Sequence, residues 1–253
     1  MSRYNSECVV LRSIDYRDSD KIFTLLSKNS GKITAAARGV RKISSRRGGN
    51  LDTLNHVIIH TSESPSGYKN ISEVRLINSF QKIKMSLFKS KMAYYCIELV
   101  YRFVQEGKDH HQAPIFDALT SLLTRLDKAG SNISASIIVN AFEIKLMSIL
   151  GYEITLDKCA VSGTPFGLEW EGYRFSNLKG GLVLSTHDIL GKPISKETAY
   201  ALNYINSYNR GIAEKPKMAF TKTAIESADK IIKAFVTEVL ETSIKTVRIY
   251  SAV

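Results

Sequence analysis

Between residues 21 and 50 the sequence has no acidic side chain, yet eight basic ones fall there: Lys21, Lys28, Lys32, Arg38, Arg41, Lys42, Arg46 and Arg47. A surface that needs only solubility intersperses both signs, so a block of one sign points to a polyanionic partner. Cysteine is nearly as scarce. Cys8, Cys96 and Cys159 are odd in number and far apart, which argues against a disulfide framework and fits a reducing cytosol. The first seven residues lack the apolar stretch of a signal peptide, and no uncharged apolar run approaches a membrane-spanning helix in length. A cytoplasmic protein with no membrane partner is the expectation.

Signatures of catalysis are missing as well. None of the pairs Gly31-Lys32, Gly107-Lys108 and Gly191-Lys192 is followed by Ser or Thr within a phosphate-binding loop. There is no Gly-x-Ser-x-Gly elbow. Ser185-Thr186-His187-Asp188 holds the residue types of a catalytic triad, but a triad is a matter of geometry, not of sequence neighbours. The expectation is therefore a protein that is not an enzyme and needs no cofactor. Internal repeats and low-complexity segments are absent too.

What is present suits a chain with a well-filled core. Of 253 residues, 44% are hydrophobic and 23% charged, enough for two or more compact units. The formal net charge is +11, and residues 1 to 50 carry eleven Lys and Arg against four Asp and Glu, so most of the excess lies in the first fifth. That asymmetry locates the partner site.

The first eighty residues read as strands. Cys8 to Ile14, Ile22 to Ser27, Lys32 to Arg38, Leu54 to His60 and Asn70 to Ile77 are short apolar runs separated by turn residues such as Asn29-Ser30-Gly31 and the loop from Ser62 to Gly67. In the third run a period of two sends Ile33, Ala35 and Ala37 inward and leaves Lys32, Thr34 and Arg38 on a solvent face. Five such strands predict a small closed barrel of the oligonucleotide-binding (OB) type over residues 1–80, although an open sandwich would read similarly. Residues 81–253 read as an all-helical domain. Apolar residues recur at three and four from Phe88 to Val104, from Pro114 to Leu126 and from Ser134 to Leu150, and these three helices are expected to pack as a bundle. Gly107 and Gly151 are read as stops. Residues 152–187 form a loop-rich insert with two strands at most, and two more helices follow near Lys196 to Ser207 and Thr221 to Glu241. The fold class is α+β.

The cations at 21–50 would neutralise several phosphates, and Tyr4, Tyr16, Phe23 and Tyr68 offer rings that stack on bases unless they fill the core instead. A membrane surface fits worse, because the region alternates at period two and not at the period of an amphipathic helix. Metal ligation is not expected: Cys159 and His187 are two ligands where structural zinc wants four, and His110-His111 reads as solvated loop.

The motifs carry a family resemblance. Val10 to Lys21, with Leu25-Leu26, Gly31-Lys32-Ile33-Thr34 and Ala37-Arg38-Gly39-Val40-Arg41-Lys42, resembles the N-terminal signature of RecO, the bacterial recombination mediators. Phe142 to Leu146, Leu150-Gly151-Tyr152 and Asp157-Lys158-Cys159 are similar to that family's entry into its zinc region, and Ile244 to Arg248 matches loosely. Where the family has two Cys-x-x-Cys pairs, this chain has Cys159 with Ser162 and Leu184 with His187. The resemblance thus implies a zinc-less, degenerate zinc-finger-like insert held by packing around Trp170, Tyr173 and Phe175. It also implies binding of single- and double-stranded DNA, annealing of complementary strands, recognition of the acidic C-terminal tail of single-stranded DNA-binding protein, and action with RecR in loading RecA. Lys21, Lys32, Arg38, Arg41, Lys42, Arg46 and Arg47 are the expected phosphate contacts. Charge alone leaves two other readings open, an RNA-binding factor of ribosome assembly or translation and an adaptor for acidic protein tails.

Overall fold

A computed structural model describes residues 2–42, 45, 47–104, 112–167, 169–187, 191–211 and 220–240. Arg46, Gly107, His110, His111, Asp188 and the segment 244–248 lie outside the described residues. Contacts divide the chain into two compact units, one of residues 1–128 with 244–253 and one of residues 129–243.

In the first unit, β1 (Ser2–Tyr16), β2 (Asp20–Ser27), β3 (Gly31–Ala37), β4 (His56–Glu63) and β5 (Lys69–Asn78) close into a barrel in the order β1-β2-β3-β5-β4. This is an OB-type barrel, as the strand count predicts. Strand β1 serves two partners: Ser2 to Val9 pair with β4, and Cys8 to Tyr16 pair with β2. A bulge between Val10 and Arg12 bends it from one to the other. Inside lie Cys8, Val10, Phe23, Leu25, Ile33, Ala35, Ala37, Val57, Ile59 and Ile71, the inward half of each alternation. Val9, Leu11 and Leu26, on the opposite face, are buried too. Helix α2 (Leu87–Phe103) packs against β1, and α3 (Gln112–Lys128) against β2. A short α1 (Gln81–Lys84), which the sequence reading missed, packs against both helices.

The second unit holds α4 (Asn132–Ile149), β6 (Tyr173–Ser176), β7 (Gly181–Leu184), β8 (Lys192–Ile194), α5 (Lys196–Asn209) and α6 (Lys222–Leu240). The expected bundle of α2, α3 and α4 does not form: α4 packs against α5 and α6, while α2 and α3 pack with α1 and the barrel. The reason lies in α4 itself. It is apolar nearly all round, so its pattern marks it as a central helix without saying which neighbours cover it, and here the cover comes from α5 and α6. By length and composition it would also pass for a membrane span, with mean hydropathy 1.2, but 56% of it is buried within the protein. Its buried face carries Asn140 and Glu143, both fully enclosed. From α6, Asp229 and Lys233 meet them, with Lys233 Nζ 2.8 Å from Asp229 Oδ2. Asn140, with its amide turned to satisfy both neighbours, donates to Asp229 Oδ1 at 2.9 Å and Glu143 Oε2 at 3.1 Å. Burial raises the Asp229 pKa, and Lys233 opposes that rise.

The insert contributes a three-stranded sheet in the order β7-β6-β8, with β8 beyond the predicted limits. Its aromatic cluster is the expected one. Trp170, Tyr173 and Phe175 are buried, Trp170 and Tyr173 stack with centroids 5.9 Å apart, and the Trp170 indole N–H donates to the Pro165 carbonyl at 2.9 Å.

Candidate nucleic-acid interface

The basic block is dispersed by the fold into three groups. Lys28 and Lys32 turn toward helices. Lys28 Nζ lies 3.9 Å from both Glu7 and Asp117. Lys32 donates to the Tyr101 carbonyl at 2.9 Å, with its ammonium 4.7 Å from the centre of the Tyr101 ring. Lys32 and Arg38 therefore do not share an open solvent face, because α2 covers the lysine end of β3.

Arg47 forms the second group alone. Strand β3 pairs with β5 at a single position, Ala36 with Asn70. Beyond it the Arg47 guanidinium crosses the gap, donating from Nη1 to the Ile71 carbonyl at 2.8 Å and from Nη2 to the Arg38 carbonyl at 2.7 Å. A planar fork fits two divergent acceptors where one point charge does not. Replacing Arg47 by alanine is expected to lower barrel stability by about 1.5–3 kcal/mol, the range for hydrogen bonds from a charged donor. Arg47→Lys should restore little of it. Thermal unfolding of the two variants checks both expectations, and wild-type melting in both would remove Arg47 from the seam.

The third group gathers at one end of the barrel. Asp15 and Lys21 face each other across β1 and β2, with 3.6 Å between Oδ1 and Nζ. Arg41 reaches the same carboxylate, 3.5 Å from Oδ2. The loop after β3 is pinned there by its backbone: Gly39 N donates to Asp20 Oδ1 at 2.7 Å, and Arg41 N to the Ser19 carbonyl at 3.0 Å. Gly39 supports this with a φ of +65, which a side chain would resist. Arg38 and Lys42 stand exposed on the loop, without an ion pair among the described residues. Arg17, on the β1–β2 turn, lies 5.1 Å over the Tyr16 ring. Arg17 joins this end without having been singled out from the sequence, where its acidic neighbours Asp15 and Asp18 mask it. Phe23, 2% exposed, fills the core and is no stacking platform.

Lys21, Arg38, Arg41 and Lys42, with Arg17, thus gather as one ridge at this end of the barrel, five cations against the carboxylates of Asp15, Asp18 and Asp20, while Lys32 and Arg47 hold other parts of the protein. The ridge carries an internal counter-anion in Asp15, which stands where a phosphate oxygen would compete for Lys21 and Arg41. Such an arrangement can grip a sugar-phosphate chain without reading bases.

The four positions of the insert do not fit zinc. The Cys159 thiol accepts from Leu184 N at 3.5 Å. Burial alone would raise its pKa, but the Ser162 hydroxyl, with amides of Ser162, Leu184 and Val161, draws it below the ordinary thiol value. A thiol so lowered suits a metal by itself, but Leu184 brings no ligand atom, and among the described residues no three His, Cys, Asp or Glu side chains cluster for a metal.

Comparisons with known proteins agree over nearly the whole chain. Residues 1–80 match the family model "Recombination protein O N terminal", and residues 85–248 match "Recombination protein O C terminal". The chain is 32% identical over 197 residues to the DNA repair protein RecO of Geobacter sulfurreducens, covering 78% of each. It is 29% identical over 253 residues to that of a Thermoanaerobacter species, covering 97% of this chain and 96% of the relative. A relative from Anaeromyxobacter dehalogenans is 33% identical over 183 residues, or 72% of this chain and 69% of its own.

Proposed function

Because this chain belongs to the RecO family, we propose that it is a DNA-repair and recombination mediator, not an enzyme, which holds DNA by its backbone and brings complementary strands together. Residues 1–80 are the nucleic-acid-binding domain in this reading, and residues 81–253 the helical remainder with its insert at 152–187. The observation that carries it is the convergence of Lys21, Arg38, Arg41 and Lys42 on one end of an OB-type barrel. Cations on two strands' phosphates lower the repulsion between the strands, and backbone contacts leave base edges free to pair. No nucleotide is consumed in that step.

The partners proposed are single-stranded and double-stranded DNA, RecR, and the acidic C-terminal tail of single-stranded DNA-binding protein, with RecA loading on coated strands as the outcome. A bacterial cytoplasm is the matching compartment. The test is strand annealing of complementary oligonucleotides, bare or coated with single-stranded DNA-binding protein. Acceleration in both is expected, and it should fade as salt rises. If annealing runs no faster than without the protein, the proposal falls.

A further inference from the structure

Strand β3 pairs with β2 from Lys21↔Ala37 to Ser27↔Gly31, but meets β5 only at Ala36. Ahead of that pair, along Gly31 to Ala35, no strand among the described residues pairs with its other edge. A groove of about 750 Å³ opens there, between β3, the start of β1 and the β4–β5 hairpin. Two tyrosines line it from distant parts of the sequence, Tyr4 on β1 and Tyr68 on the hairpin. Tyr68 is 43% exposed, and Gly67 before it takes a φ of +78 that shapes the turn.

The groove's chemistry differs from that of the ridge. Its charged lining is Lys32, whose ammonium is held on Tyr101, with Lys69 and Glu63, which are opposite each other in the β4–β5 register. Among the described residues that is too little net charge to collect phosphates. The rest is rings, aliphatic surface, and uncharged donors and acceptors such as Asn5, Asn29 and Ser30. Flat, weakly polar, hydrogen-bonding ligands suit it, which is the description of a nucleobase. The two features are also aligned. Strand β3 runs from the groove at Lys32 to the ridge at Arg38, roughly 20 Å at the usual rise per residue.

We propose that the groove is a base-binding subsite for unpaired nucleic acid, in which Tyr68 stacks on a base of a strand whose phosphates a few nucleotides further along lie on the ridge. This rests on the DNA-binding function proposed above and adds a division of labour to it. A duplex, with its bases stacked inside, is held by phosphates alone. A single strand is held by phosphates and bases together, so the groove selects the unpaired form.

The experiment measures binding of the full chain to an oligothymidylate, to an abasic strand of equal length and to a blunt duplex, in wild type, Tyr68→Ala and Tyr68→Phe. Tyr68→Ala is expected to weaken oligothymidylate binding roughly tenfold, as loss of one stacking contact would. Its salt slope and its duplex affinity should stay at wild-type values, and Tyr68→Phe should restore the loss. Wild type should bind the abasic strand about as weakly as Tyr68→Ala binds oligothymidylate, and Tyr68→Ala should not distinguish the two. The inference is overturned if Tyr68→Ala binds oligothymidylate normally, loses duplex binding equally, or still discriminates against the abasic strand. It is also overturned if wild type binds both strands alike, as a groove built for a peptide would. Wild type binding no DNA at all would remove the broader function as well; Arg38, Arg41 and Lys42 variants losing DNA while Tyr68→Ala does not would remove this inference alone.

Discussion

Replacing Arg38, Arg41 and Lys42 together by alanine is expected to weaken binding to single-stranded DNA by roughly 100-fold at about 0.1 M salt, to the same extent for every sequence. The size follows from counterion release. Each phosphate contact on a single strand adds about 0.7 to the slope of log affinity against log salt, so three contacts contribute about two powers of ten between 1 M and 0.1 M. The salt slope itself should become shallower by about 2. The three side chains are exposed at one end of the barrel, so thermal unfolding should not move. Asp15→Asn supplies the opposite sign. It removes the carboxylate that holds Lys21 and Arg41, and affinity should rise a few-fold. Filter binding or fluorescence anisotropy across a salt series measures all of this. Unchanged affinity of the triple variant at moderate salt would show that the ridge is not where DNA sits.

Lys233→Met should produce the largest loss of stability. Lys233 is 7% exposed and faces Asp229 inside the α4–α6 contact, with Asn140 and Glu143 completing the buried group. Removing the cation leaves a carboxylate in the core without its counter-charge, a change that costs about 3–5 kcal/mol in buried pairs. The pH dependence has a definite direction. Burial already raises the Asp229 pKa, so the fold favours the protonated acid. That contribution is complete below the ordinary carboxylate value and is lost as pH rises through the raised one. Without Lys233 the rise is larger, so the variant should recover part of its deficit as pH falls from 7 toward 4, by the protonation of Asp229. A chemical melt at neutral and acid pH would reveal this, and a variant that is equally destabilised at both would speak against an uncompensated charge.

The strands of the barrel were legible because their alternation is local. Ile33, Ala35 and Ala37 point inward in the structure as the period of two requires. The first strand was harder to delimit. Val9, Val10 and Leu11 form an unbroken apolar run, since the barrel takes one face and α2 the other, and its six leading residues are polar enough to pass for a tail. The partner of α4 was illegible for a related reason: an apolar surface on all sides says that a helix is central but not which helices surround it. Within the site, the positive block was plain, yet its allocation was not. Lys32 and Arg47 look like any other cation in the sequence. Their acceptors are main-chain carbonyls 69 and 24 residues away, and a carbonyl carries no residue-type signal. The exposed pair Arg38 and Lys42 is identified by what fails to reach it, which only the folded arrangement reveals.

The joint between β3 and β5 has one further consequence. Among the described residues the barrel is sealed there by one residue pair and one guanidinium, with no ladder to unzip, so amide hydrogens near Ala36 and Asn70 should exchange ahead of those in the β1–β2 and β4–β5 hairpins. Anything laid along β3 bears on the part of the wall that yields soonest. Occupancy and wall integrity then reinforce one another, and a loaded barrel outlasts a bare one under heat or protease.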